Sequence, residues 1–294
     1  MTFRFVVSRI AFSVSLLLAG CATQSGDSAS SDGPAAATPV VMVTNRVLQE
    51  LATAAFSPEW EVVCVDVAAG QTALPDRQVI GALQQATLVL WHGAGYEPWR
   101  EMVSLPSSRQ NITTSQWSDE LIASDDAVAH QHGPNGAQQT GPLLWASWLD
   151  PDLAQRQLQA VADASRQHSD VDEASLQRVD ELQQQLRQLA ERCDRLQQQP
   201  TLRVRITDEQ LRYLVRRLGW KAELTAGDED HGEFDLQLTT TSRDPALAED
   251  PRVVAIDLCV TSQEESFVQR LSANMDRLEQ ALRMLPAESA VRRD

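Results

Sequence analysis

At 294 residues, 43% of them hydrophobic, with a formal charge of −16, the chain can build one large or two medium folded bodies. An acidic excess of this size argues against nucleic acid and anionic lipid headgroups as partners, and it raises the local concentration of cations. Nor does the chain carry GxSxG, a P-loop or HExxH, so nothing in it points to an enzyme.

In chain order, the first element is a targeting segment. Arg4 and Arg9 lead into the apolar run Ile10 to Leu18, which is well short of the ~20 residues that span a bilayer. Leu18-Ala19-Gly20-Cys21 then reads as a bacterial lipobox. Cleavage before Cys21 would remove a signal peptide (1–20), leave a lipidated cysteine, and take the charge from −16 to −18 through the loss of Arg4 and Arg9. Residues 21–38, rich in Ser, Ala, Gly and Asp, have little to bury and read as a disordered tether. The expectation is a protein anchored by lipid on the periplasmic side of a bacterial membrane. Ala22, by resemblance to Gram-negative lipoproteins, points to the outer membrane.

The first folded stretch alternates apolar runs with helical patterns: Val40 to Val43, Val47 to Ala55, Val62 to Val65, Val79 to Ala86 and Leu88 to Trp91. This βαβα order predicts a mostly parallel sheet flanked by helices, with ligands met at the strand C-terminal ends. Asn45 and Asp76 are suited to cap the two helices, and Asp150-Pro151 is a start signal for a third. Leu176, Val179, Leu182, Leu186, Leu189, Cys193 and Leu196 predict one long helix from about Val171 to Gln199, ended by Pro200. Strands are expected at Leu202 to Ile206, Lys221 to Thr225, Phe234 to Leu238 and Val253 to Asp257, with a helix over Asp208 to Leu218. A last helix, starting near Thr261 or Ser262, buries Phe267, Leu271, Met275, Leu278 and Leu282. The predicted class is therefore α/β, two lobes with mostly parallel sheets joined by one long helix: an N-terminal lobe (39–168), the helix (169–199), a shortened C-terminal lobe (200–288) and a tail (289–294). Cys64, Cys193 and Cys259 are odd in number, so at least one is expected as a free thiol; Cys64 in an apolar run and Cys193 on an apolar helix face read as buried thiols, and no CxxC pairing suggests a metal knuckle.

Two phrases carry a resemblance. Ala82-Leu83-Gln84-Gln85-Ala86-Thr87-Leu88-Val89-Leu90-Trp91-His92-Gly93-Ala94-Gly95-Tyr96-Glu97-Pro98-Trp99 and Trp148-Leu149-Asp150-Pro151 are similar to segments of the zinc and manganese receptors of ABC importers. Tyr213 to Gly219 and Ala273 to Leu278 resemble two helices of the same family. The resemblance implies two α/β lobes bridged by a long helix, one metal ion held between them by three histidines and a carboxylate, and an ABC permease as partner in the inner membrane. Carried over by motif, the first ligand position falls on Gln71, the second on Ala146, the third on Asp208 and the fourth on Asp257. A tight zinc site wants about four donors, mostly imidazole or thiolate, whereas Gln71, Asp208 and Asp257 supply oxygen, which suits harder cations completed by water. His130 and His132 lie where relatives carry a histidine-rich loop and are the imidazoles available to join them.

Each candidate also has a local reading. Asp208 favours a helix N-terminus, with Thr207 and Gln210 able to form a capping box, and His92, beside a Gly turn, reads as local hydrogen bonding. Tryptophans 91, 99, 145 and 148 read as core and cleft packing. The expected function is a monomeric, extracytoplasmic solute-binding lipoprotein of a zinc- or manganese-type importer, holding its divalent ion weakly or by an altered ligand set, with no catalytic cofactor. The alternative is a non-metal binding or protein-interaction lipoprotein on the same scaffold.

Overall fold

The computed structural model describes residues 37–116, 119–124, 142–199, 202–225, 234–240, 250–260 and 265–285. Residues Thr38–Asp294 form one unit, built on two sheets of four parallel strands each. In the first, β1 (Val40–Val43) lies between β2 (Glu61–Cys64) and β3 (Leu88–Gly93), and β4 (Gln110–Ser115) forms the outer edge beyond β3. The second repeats the order: β5 (Arg203–Ile206) lies between β6 (Lys221–Leu224) and β7 (Leu236–Thr240), with β8 (Val253–Ile256) outermost. Val41 pairs with Val62 on one side and Leu88 on the other. Such central strands are covered on both faces, which is why they read as unbroken β-branched and apolar runs.

Caps set the helices. Asn45 accepts the Leu48 N–H at 2.8 Å to start α1 (Arg46–Ala55), and Asp76 accepts that of Val79 at 2.9 Å to start α2 (Arg77–Gln85). Asp150 accepts the Asp152 N–H at 3.0 Å ahead of Pro151, opening α3 (Pro151–His168). The long helix α4 (Glu173–Gln197) buries Val179, Leu186, Leu189, Cys193 and Leu196 against α1 and α3 of the first lobe and α6 (Phe267–Met284) of the second. It therefore underlies both lobes, and one buried cluster runs from Val41 and Leu48 through Trp148 to Leu238 and Leu278. A smaller cluster, with Met42, Leu83, Trp91 and Trp99, fills the opposite face of the first sheet. Among the described residues no helix is long and apolar enough to cross a membrane.

Two elements differ from expectation. β4 was not foreseen, because Gln-Asn-Ile-Thr-Thr-Ser has no apolar alternation; it is an edge strand that buries only Thr114 and Ser115. The stretch after Asp208 is a 3-10 turn (Glu209–Leu211) followed by the short α5 (Arg212–Arg217), not one continuous helix. The last helix runs from Phe267, where Ser266 and Gln269 make the full reciprocal capping box; the start expected near Thr261 or Ser262 falls outside the described residues.

Candidate functional site

The seam between the lobes is organised by the segment Trp145 to Leu149, a kink and 3-10 turn that delivers the chain to Pro151 and α3. Gln210 reaches it from the second lobe, its Oε1 accepting the backbone N–H of both Trp145 (2.8 Å) and Ala146 (3.0 Å). Trp148 Nε1 donates to the Leu258 carbonyl at 2.9 Å, and the Tyr213 hydroxyl donates to that of Leu144 at 2.8 Å. The same hydroxyl accepts the Ile122 N–H at 3.1 Å. Chain neighbours of the positions carried over by motif touch this segment. A Cβ on Gly70, which adopts φ +68, would stand 3.9 Å from the Trp145 ring, and Gln71 follows it. Ala146 belongs to the segment, Asp208 precedes Gln210, and Asp257 precedes Leu258.

The side chains there are engaged with protein. Gln71 folds over its own loop, Nε2 donating to the Ala73 carbonyl at 2.9 Å. Ala146 is 0% exposed and its methyl group offers no ligand atom. Asp208 Oδ1 accepts the Gln210 N–H at 2.9 Å, so Asp208 and not Thr207 is the cap, while the Gln210 side chain points to the seam instead of closing a capping box.

Asp257, 8% exposed, is gripped by α6. Its Oδ2 accepts Arg270 Nε at 2.9 Å, and its Oδ1 accepts both Arg270 Nη2 and the Cys259 N–H at 2.7 Å. Asn274 completes the clasp, accepting the Asp257 N–H and donating to its carbonyl, each at 2.9 Å. Burial works against ionisation of Asp257, but the Arg270 hydrogen bonds, the Cys259 N–H and the charges of Arg270 and Arg277 outweigh it and hold the carboxyl below its ordinary value.

Beside the seam lies a second polar knot. His92 is fully buried, and burial pushes its pKa down to about 3, against a smaller opposing effect of the Trp145 carbonyl, so the ring is neutral. Its partners assign the tautomer: Nε2–H donates to the Trp145 carbonyl at 2.8 Å, and Nδ1 accepts Gln157 Nε2 at 2.6 Å. The ring packs edge-on to Trp148 with centroids 4.7 Å apart. Glu97 follows the turn in which Gly93 and Gly95 adopt φ of +80 and +73. Its Oε1 accepts the Thr44 hydroxyl and the His92 N–H, and its Oε2 accepts the Gly93 N–H at 2.9 Å.

Among the described residues no three His, Cys, Asp or Glu side chains gather as a metal site. His130, His132 and Cys21 lie outside the described residues. A cation approaching Asp257 meets a guanidinium already bonded to both oxygens, and none of the four aligned positions supplies imidazole or thiolate. Residue-by-residue reading took Gln210 for a capping-box partner and not for the seam, and did not find Gln157 or Arg270. One signal was legible for Arg270: it and Asn274 are polar positions within the stripe Phe267, Leu271, Met275 and Leu278.

A family model described as zinc-uptake complex component A, periplasmic, matches residues 41–242. Among solved structures, Zn(II)-bound AdcA from Streptococcus pneumoniae is similar over 85% of this chain, with a TM-score of 0.63 at 13% identity. The chain spans 59% of the length of that protein. The metal-dependent lipoprotein YcdH from Bacillus subtilis aligns with 83% of this chain and 99% of its own, with a TM-score of 0.62 at 15% identity. A mutant of FpvC from Pseudomonas aeruginosa aligns over 83% and 99%, with a TM-score of 0.63 at 14% identity. These likenesses concern the fold. No curated protein matches the chain by sequence.

Proposed function

This chain belongs to the zinc-uptake complex component A family, and from that membership we propose that it works outside the cytoplasm as the solute-binding component of an ABC importer. The family consists of receptors, which accords with a binding protein and not an enzyme. In this reading Cys21 carries the lipid anchor, residues 21–38 are the tether, the lobes form a monomeric receptor, and an inner-membrane permease is the partner. The transported solute is a divalent ion, zinc or manganese, met by an altered and weak ligand set drawn from Gln71, Asp208, Asp257, His130 and His132. One observation supports it: residues next to the positions aligned by motif, Gly70, Gln210 and Leu258, meet the Trp145 to Leu149 segment that contains Ala146.

A melting experiment tests it. Ligand at a hundred times its dissociation constant stabilises a fold by ~2.7 kcal/mol, so saturating zinc or manganese is expected to raise the melting temperature, and substituting the ligands to abolish the rise. No shift with zinc, manganese, iron or copper rejects metal binding.

A second reading is favoured by a specific observation. Arg270 occupies both oxygens of Asp257 while Gln210 and Trp148 tie the lobes together, which supports a receptor scaffold whose cleft serves packing and which acts through non-metal or protein contacts.

A further inference from the structure

Arg270 is 3% exposed and meets Asp257 through two parallel hydrogen bonds, a geometry that matches a carboxylate and fixes its orientation. A guanidinium buried this deeply persists only where an opposite charge compensates its lost hydration. The charges around it come from both lobes. Asp257 faces it from the end of β8, Glu50 from α1 of the first lobe, and Cys259 lies beside the pair with its thiol pushed up to about 12 by burial, hence uncharged. Arg277 is the other cation near Asp257. Glu50 also accepts the Phe267 N–H at 2.7 Å, so a first-lobe carboxylate caps the helix that carries Arg270. Arg270 is thus paired directly with one carboxylate, Asp257 of the second lobe, and a second, Glu50 of the first lobe, adds a favourable electrostatic interaction.

Resting on the second reading above, we propose that Arg270 is a built-in counter-ion that takes the place of the cargo cation at Asp257 within the second lobe, while hydrogen bonds across the seam hold the lobes together with no ion bound. The seam is then closed by protein alone, through Gln210 on Trp145 and Ala146, Trp148 on Leu258, Tyr213 on Leu144, and Glu50 on Phe267. A partner that recognises the closed form engages this chain whatever the metal supply.

The test uses the full chain in detergent, with melting and small-angle scattering measured in chelator and in saturating zinc or manganese. The wild type is expected to show the same radius of gyration in every condition and no metal-dependent shift attributable to Asp257. Arg270→Met is expected to lower the melting temperature by roughly 10 °C, and Asp257→Leu with Arg270→Met to recover most of that loss, as a charge pair replaced whole. If Arg270→Met does not fold, Arg270→Lys, which keeps the charge and loses the fork, is expected to fall between it and the wild type. Compaction of the wild type by metal that Asp257→Asn abolishes overturns the proposal, as does an Arg270→Met chain as stable as the wild type. A metal shift that survives Asp257→Asn but is lost in His130→Ala with His132→Ala leaves the counter-ion in place and rejects only the metal-free reading. No metal shift in any form supports the counter-ion and rejects metal transport.

Discussion

Each lobe buries a carboxylate close to the carboxyl end of its sheet, Glu97 just beyond β3 and Asp257 directly after β8, and they are held in opposite ways. Glu97, 6% exposed, is met by a hydroxyl and two backbone N–H groups of a glycine turn. Burial outweighs those donors and the nearby Arg100, so its pKa is raised. Asp257 has a guanidinium across both oxygens, and its pKa is lowered. A turn can therefore store a carboxylate with neutral donors at the cost of making it easier to protonate, whereas a strand end facing a helix keeps it charged only by burying a cation beside it. The first lobe's knot is dipolar and the second lobe's is ionic.

The sharpest way to break that contrast is to remove the cation. Arg270→Met leaves Asp257 charged and buried, with an expected loss of about 3–5 kcal/mol in chemical denaturation. A loss below about 1 kcal/mol would mean that Asp257 is hydrated or neutral and that the two carboxylates are alike after all. Next in size is Gln210→Leu, which orphans the N–H groups of Trp145 and Ala146 at the seam. An unmet buried donor costs about 1–3 kcal/mol, and Gln210→Glu, which keeps the acceptor, is expected to recover a good part of it.

His92 separates the regions by pH. Its folded pKa of about 3 lies below its ordinary 6.5, so under pH 6.5 the unfolded chain binds a proton that the folded chain refuses. Stability therefore falls as pH falls through the window from 6.5 to 3, at about 1.4 kcal/mol per pH unit, or about 2 kcal/mol by pH 5. Asp150, raised by burial to about 6, acts with the opposite sign from pH 6 downward, and Glu50 and Glu97, also raised by burial, oppose it too. The difference curve between wild type and His92→Asn isolates the histidine. Asp257, with a lowered pKa, loses its contribution only at lower pH, below 3.8, outside the 5 to 6.5 window. A flat difference curve over that window would mean that His92 is hydrated or paired.

Local chemistry was what the sequence made legible. Asn45, Asp76 and Asp150-Pro151 act within three residues of themselves, so their caps read directly, and the apolar runs of β1 and β3 announce covered strands. β4 did not read, because its polar residues take their place from pairing with β3 and not from their own pattern. At the site, motif placed Gln71, Ala146, Asp208 and Asp257 in one neighbourhood, but what each side chain does there depends on partners far along the chain. Arg270 touches Asp257 across a loop, Gln210 touches Trp145 across both lobes, and Gln157 reaches His92 from α3. Residue type allows such pairings; only the packed fold selects them.

The smallest expected effect compares the carboxylates directly through their amides. In Glu97→Gln the amide oxygen can keep the Thr44 hydroxyl and the His92 N–H, while the NH2 group is turned toward the Gly93 N–H and one acceptor is lost. Because Glu97 is already easier to protonate than an ordinary glutamate, neutralising it removes little favourable charge, and the expected loss is about 1 kcal/mol, the scale of one hydrogen bond. In Asp257→Asn the NH2 group faces Arg270 Nε or, turned over, both Arg270 Nη2 and the Cys259 N–H, and the guanidinium is left without its counter-charge, so the loss is expected to be about three times larger. The two amides are compared in one set of urea melts at pH 7. Equal losses would mean that Glu97 is as ionic as Asp257, and the division of the molecule into a dipolar and an ionic lobe would fail.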